Sequence, residues 1–146
     1  MDQKDRKIID YLMENGRDKI SDISRVLDIP RVTVYERIQN MIRQGVIKKF
    51  SAIPDFSALG YPVTSFVLVL FDASRGISEK KLAEKIARMK NVEEVHIITG
   101  EWDLLLKVRA QSMDDLGNMV LEKLRETEGV GKTQTIAIFQ TVKDGF

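Results

Sequence analysis

The chain contains no cysteine, so it can form neither a disulfide framework nor a reactive thiolate. It has one histidine, His96, which argues against a multi-histidine metal site. No apolar run approaches the roughly 18–20 residues of a transmembrane helix. The opening stretch, MDQKDRKIID, lacks an apolar signal-peptide core. Together these absences predict a cytoplasmic protein with no membrane partner. Net charge is also scarce, at +1. The G-x-x-x-x-G-K-[ST] phosphate loop, H-E-x-x-H and G-x-S-x-G are all missing. Glu93 and Glu94 are neighbours on an expected strand, so they should face opposite ways and make no acid/base pair. No catalytic constellation emerges. The expectation is a protein that is not an enzyme and carries no cofactor and no metal.

What is present is patterning. A chain of 146 residues suffices for one good core or two small ones. Charged residues make up 31% and hydrophobic residues 43%, the balance of a globular protein. Charge is uneven along the chain. Residues 1–50 carry 11 basic against 8 acidic side chains, and the remainder carries 12 against 14. The basic excess at the N-terminal end suits a phosphate partner, although it is small.

Asp2–Asn15 places Ile8, Ile9, Leu12 and Met13 on one helical stripe, with Asp2 and Asp5 favouring its start. Ser21–Leu27 reads as a second helix, with Ser21 as its cap and Ile23, Val26 and Leu27 facing inward. Asp28-Ile29-Pro30 is a corner. Arg31–Gln44 is a third helix with Val34, Ile38 and Met41 at i, i+4 and i+7. A short helix, a three-residue corner and a longer helix are the skeleton of a helix-turn-helix. On the third helix Val32, Tyr35, Glu36 and Gln39 should point outward, towards base edges. Arg31 and Thr33 lie at its leading end, and Arg37 flanks the inner stripe within reach of a phosphate. Gly45 ends the helix. Val46–Ile53 reads as an exit strand carrying Lys48 and Lys49, both available to phosphate.

Pro54, Gly60 and Pro62 punctuate the next stretch. The expected domains are therefore 1–53, a linker over 54–62, and 63–146. The second half alternates: strand Val63–Phe71, helix Ser78–Lys90, strand Val92–Thr99, turn Gly100-Glu101-Trp102 and strand Asp103–Ala110. Helix Ser112–Glu126 comes next, then a break at Gly129-Val130-Gly131 and a last strand, Thr135–Val142. This order, βαββαβ, is the ferredoxin-like pattern of an antiparallel sheet with both helices on one face. The fold class is α+β: a three-helix, winged-helix-like N-terminal domain, a linker strand and a C-terminal ferredoxin-like domain. The bare sheet face needs cover, most simply from a second subunit.

Specific residues carry a resemblance. Asp2, Asp5, Ile8 and Ile9 precede Arg37, Ile38, Met41, Gly45, Val46 and Ile47. Leu59-Gly60-Tyr61, Gly100-Glu101-Trp102-Asp103 and Gly129-Val130 follow in order. Over essentially its whole length the chain resembles the Lrp/AsnC family, the feast/famine transcription regulators. The resemblance implies sequence-specific binding of double-stranded DNA. It implies a homodimer paired through the sheets, assembling further into species such as an octamer. It also implies a small effector, typically an amino acid, bound near the loop Gly100, Glu101, Trp102 and Asp103. There Glu101 or Asp103 would pair with an ammonium, and backbone N–H groups at Gly100 would receive a carboxylate. Thr133, Gln134 and Thr135 are further candidates. The exit strand would join the partner's arm. One departure stands out: the family usually places serine where Pro30 lies and a small polar residue where Val32 lies. Two rival functions remain open at this level, a DNA-architectural protein without a ligand and a metabolite-binding partner of an enzyme.

Overall fold

The computed structural model describes residues 1–143 and divides into two compact units, Met1–Ile53 and the chain from Pro54 onward.

In the first unit, α1 (Gln3–Glu14) is entered through a complete capping box. The Asp2 carboxylate accepts from Lys4 N–H at 2.8 Å and Asp5 N–H at 3.0 Å, and the Asp5 carboxylate accepts from Asp2 N–H at 2.8 Å. Helix α2 (Ile20–Leu27) starts one residue before Ser21, so the cap is Lys19 and Ser21 lies inside the first turn. The inner stripe of α2 is also shifted. Ile20, Ile23 and Leu27 sit at i, i+3 and i+7 against the core, and Val26 falls outside this stripe, 56% exposed. The corner turns at Asp28, whose φ of +52° is the one positive value outside glycine among the described residues. Pro30 caps α3 (Arg31–Arg43), and Val34, Ile38 and Met41 are buried as the periodicity expects. With Ile8, Ile23 and Ile29 they form a small core.

The exit strand expected over Val46–Ile53 is not a strand. Val46 and Ile47 donate to the Met41 carbonyl at 2.9 and 3.1 Å, and Ile47 packs on the helical core. Beyond them the segment runs as coil, leaving Val46, Phe50 and Ile53 exposed. Its β-rich composition is not enough, because a strand needs a ladder partner and the described residues supply none.

The second unit is built on a four-stranded antiparallel sheet in the order β2-β3-β1-β4. Its strands are β1 (Val63–Phe71), β2 (Val92–Ile97), β3 (Leu104–Ala110) and β4 (Val130–Ala137). Helix α4 (Glu79–Ala87) links β1 to β2, and α5 (Met113–Asn118) follows β3. Ser78 and Ser112 cap these helices through bonds from Lys81 N–H (3.2 Å) and Asp115 N–H (3.0 Å). Helix α5 runs on as a π-helix over Met119–Leu124, rather than as one uniform helix to Glu126. The wider turn keeps Met119, Val120 and Leu124 together on the core side. They pack with Leu82 and Ile86 of α4 onto Val67 and Val69 of β1 and Leu104, Leu106 and Val108 of β3. This is the expected βαββαβ arrangement, with both helices on one face of the sheet.

Strand β4 starts five residues earlier than Thr135. Gly129 alone makes the turn, at φ +92°. Gly131 already lies in the ladder, where an added Cβ would sit 3.1 Å from the Leu70 carbonyl oxygen. The expected break at Gly-Val-Gly is therefore one turn glycine and one close-approach glycine. A second correction concerns β2. Its register shifts between Val92 and Glu94, and this bulge brings both glutamates to Lys107, at 3.8 Å from Glu93 and 3.7 Å from Glu94. They share a cation instead of facing apart.

The face away from the helices carries Phe66 and Leu68 of β1, cross-paired with Lys107 and Leu105 of β3 and with Ile136 and Gln134 of β4. The side chains from β1 and β3 are half-buried and those from β4 exposed. Arg109 is fixed on this face. Its Nε bonds Glu93 at 2.6 Å, its guanidinium donates to Thr64 Oγ1 at 2.6 Å, and it stacks 4.2 Å from the Phe56 ring centroid.

Candidate functional site

The candidate residues fall into two groups, one in each unit. On α3 the buried stripe Val34–Ile38–Met41 forces a complementary stripe outward. Val32 is 68% exposed and Tyr35 55% exposed, and Glu36 and Gln39 continue the same face at i+4 and i+7 from Val32. Arg31 is exposed at the leading end and Thr33 is half-buried beside it. Pro30 offers no side-chain acceptor, so α3 begins without the side-chain cap that α1 has. Lys48 and Lys49 are exposed, on coil rather than on a strand.

Arg37 is placed differently from the free cation expected of it. Its Nη1 lies 2.7 Å from Asp2 Oδ2 and 2.8 Å from Asp5 Oδ1, and its side chain is 26% exposed. The two carboxylates that cap α1 therefore also clasp α3. The Asp5 N–H bond and then the Arg37 guanidinium pull the Asp2 carboxyl down to about 2. The Asp2 N–H bond and then Arg37 lower that of Asp5, and the pair of carboxylates raises Arg37 in turn. The charge of Arg37 is occupied within the fold, so its duty is to hold the reading helix. Sequence reasoning found Asp2 and Asp5 as helix-start residues and missed this role, because the partners are 35 and 32 positions apart.

In the second unit the Gly100–Asp103 loop does make the turn into β3, with Gly100 at φ +112°. Glu101 is exposed and Trp102 half-buried. Asp103 acts as a bracket between strands. Its Oδ2 accepts from Phe71 N–H at 2.7 Å, its own N–H donates to the Val69 carbonyl at 3.1 Å, and its carbonyl accepts from Ile98 N–H at 2.9 Å. Thr133, Gln134 and Thr135 pair with Val69, Leu68 and Val67, so β1 separates them from β3. Thr133 Oγ1 accepts from Arg125 Nε at 3.1 Å, and Gln134 and Thr135 are exposed. The seven effector candidates do not close into one pocket within a single subunit. A cleft of about 340 Å³ lies at the turn into β4, lined by Arg75, Arg125, Thr127 and Gly129 among others. Another, of about 280 Å³, lies between Phe56, Tyr61, Val92 and Arg109. Neither includes the loop. His96 Nε2 lies 3.0 Å from Glu94 on the half-exposed sheet. No cluster of metal-ligating side chains occurs among the described residues, and no helix there is long and apolar enough to cross a membrane.

The two units match two known domain families. Residues 1–48 match the winged helix-turn-helix DNA-binding model, and residues 64–146 match the Lrp/AsnC ligand binding domain. The chain belongs to the Lrp/AsnC family. It is 43% identical over 144 residues to an HTH-type transcriptional regulator of Pyrococcus horikoshii, covering 99% of this chain and 96% of that one. Solved Lrp/AsnC structures share the fold. AsnC of Escherichia coli superposes with a TM-score of 0.90 at 22% identity, over 100% of this chain and 97% of that one. A transcriptional regulator of Neisseria meningitidis in complex with L-methionine gives 0.89 at 21% identity, over 99% and 93%. As an Lrp/AsnC protein the chain is a DNA-binding transcription regulator with a ligand-binding domain, and its relatives are regulators rather than enzymes.

Proposed function

We propose that this Lrp/AsnC regulator recognises a specific operator through the outward stripe of α3 and responds to an amino acid. The observation that carries the reading is that stripe. Val32, Tyr35, Glu36 and Gln39 stand clear of the protein, opposite a fully packed inner face. An α-helix of this kind fits the major groove, where such side chains meet base edges. Arg31, Thr33, Lys48 and Lys49 are the phosphate contacts in this reading, and Arg37 is the clasp behind them.

The working unit is a homodimer, associating further into a species such as an octamer. The half-buried Phe66, Leu68 and Leu105 on the sheet face support self-pairing, as does the ladder-less Val46–Ile53 segment. The effector site is Gly100, Glu101, Trp102 and Asp103 with Thr133, Gln134 and Thr135, completed between subunits. Support for this is that the loop forms no closed pocket alone and that the Neisseria meningitidis relative holds L-methionine. The amino acid acts by favouring the assembly state that binds it more tightly.

Binding to a random duplex and to an enriched duplex, each over a salt series, tests the DNA reading. Arg31, Lys48 and Lys49 in two subunits predict a log–log salt slope of about −5. Equal affinity for both duplexes would reduce the protein to a non-specific DNA binder. A thermal-shift screen of the twenty amino acids tests the effector. If no amino acid raises the melting temperature, the Gly100–Asp103 loop is a turn only.

A further inference from the structure

An isolated exposed valine on a surface helix needs no ligand. Val32 is in a different position. It is 68% exposed in the first turn of α3, and Tyr35, one helical turn on, is 55% exposed. The two make an apolar strip on the reading face, bounded by Arg31 at the leading end and by Glu36 and Gln39 further along. Valine is a weak helix former, because its branched side chain loses χ1 freedom against the preceding turn. Neither helix stability nor core packing explains its presence there.

A major groove presents donors, acceptors and one apolar group, the C5-methyl of thymine. The valine side chain can neither donate nor accept a hydrogen bond. Laid against a guanine or cytosine edge it would desolvate polar atoms and return nothing. Laid against a thymine methyl it buries apolar surface on both sides. We infer that Val32 reads a thymine methyl group in each half-site of the operator. This rests on the proposal that α3 enters the major groove and names the chemistry its leading turn selects. Because the two subunits are symmetric, the thymine recurs at the two-fold-related position on the opposite strand.

Deoxyuridine offers a clean probe, since it pairs as thymine does and lacks only the methyl. In a duplex enriched with the full-length protein, each thymine is replaced singly by deoxyuridine and affinity is measured by fluorescence anisotropy at fixed salt. One thymine per half-site should lose about fourfold in affinity, the value of one buried methyl-sized group. Val32→Ala, at an exposed helical position where alanine is the better helix former, should fold normally. It should bind the parent duplex more weakly, and the same deoxyuridine substitution should cost it nothing further. If every thymine in the enriched duplex is insensitive, or if Val32→Ala retains the same deoxyuridine penalty, the assignment to Val32 is overturned while operator binding stands. Failure to enrich any duplex overturns the operator reading and this inference with it.

Discussion

Asp103 is the residue at which two readings of the effector loop can be separated. Its carboxylate accepts the Phe71 N–H at 2.7 Å, at the point where β1 leaves the sheet. Asp103→Ala removes that acceptor and leaves a part-buried backbone donor unpaired, at a cost of about 1–3 kcal/mol. For a domain of this size each kcal/mol shifts the melting temperature by roughly 4–8 °C, so a fall on the order of 10 °C is expected. Asp103→Asn keeps a side-chain oxygen at the same place. It forfeits only the charge assistance of the bond, about 1 kcal/mol, and should recover most of the loss. Differential scanning calorimetry at fixed protein concentration reads both variants, because the melting of an oligomer depends on concentration. Hydrogen exchange at the Phe71 amide locates the effect. An Asp103→Ala protein that melts within about 1 °C of the parent and keeps its Phe71 protection would refute the bracket. The Asn variant then tests the second duty. If the carboxylate also receives an amino-acid ammonium, Asp103→Asn stays folded but loses the thermal shift that the effector gives the parent. At a ligand concentration 100 times Kd that shift represents about 2.7 kcal/mol.

The remaining predictions concern stability and charge. Arg37→Ala should lower the melting temperature of the N-terminal unit at neutral pH. The stabilisation it removes comes from carboxyls whose folded pKa is depressed, so it is fully present above the ordinary carboxylate value. It is lost as pH falls towards about 2, the value for Asp2, and parent and variant should converge there in a circular-dichroism melt series. In DNA titrations the same variant should keep the salt slope of the parent, because the Arg37 charge is already paired. A slope reduced by about one would place Arg37 on a phosphate instead. At Asp28, where φ is +52°, Asp28→Val should destabilise the helix-turn-helix corner by roughly 1–2 kcal/mol, whereas glycine is tolerated at no steric cost. Gly129→Ala should destabilise the second unit by roughly 1–3 kcal/mol in denaturant titrations. It combines φ +92° with a Cβ only 2.9 Å from Ile77 Cδ1.

Most of the fold was legible from periodicity, because burial on one helix face or one strand face leaves a direct mark. Val34–Ile38–Met41, Leu116–Met119–Val120–Leu124, the caps Ser78 and Ser112, and the whole of Val63–Phe71 are of this kind. What was not legible depends on partners far away in the chain. Val46–Ile53 has strand composition, but a strand also requires another backbone. Gly129 and Gly131 look alike in sequence, yet one turns the chain and the other lets β4 approach Leu70. Glu93 and Glu94 alternate on paper, and a single bulge cancels the alternation. The outward stripe of α3 followed from the wheel, whereas the Arg37 clasp joins residues more than thirty positions apart and has no local signature.

The bulge in β2 also bears on how copies of this protein avoid joining wrongly. β2 is one of the two outer strands of the sheet, and an outer strand with regular, unpaired backbone groups invites another strand alongside. Here the regular spacing is broken near Val92–Glu94, and two glutamates, Lys107 and His96 crowd the same rim. A second chain adding there would meet a misaligned ladder and a ring of charge. Growth along the sheet into fibres is blocked at that border, and the apolar flat of the sheet is left as the surface on which orderly assembly can proceed.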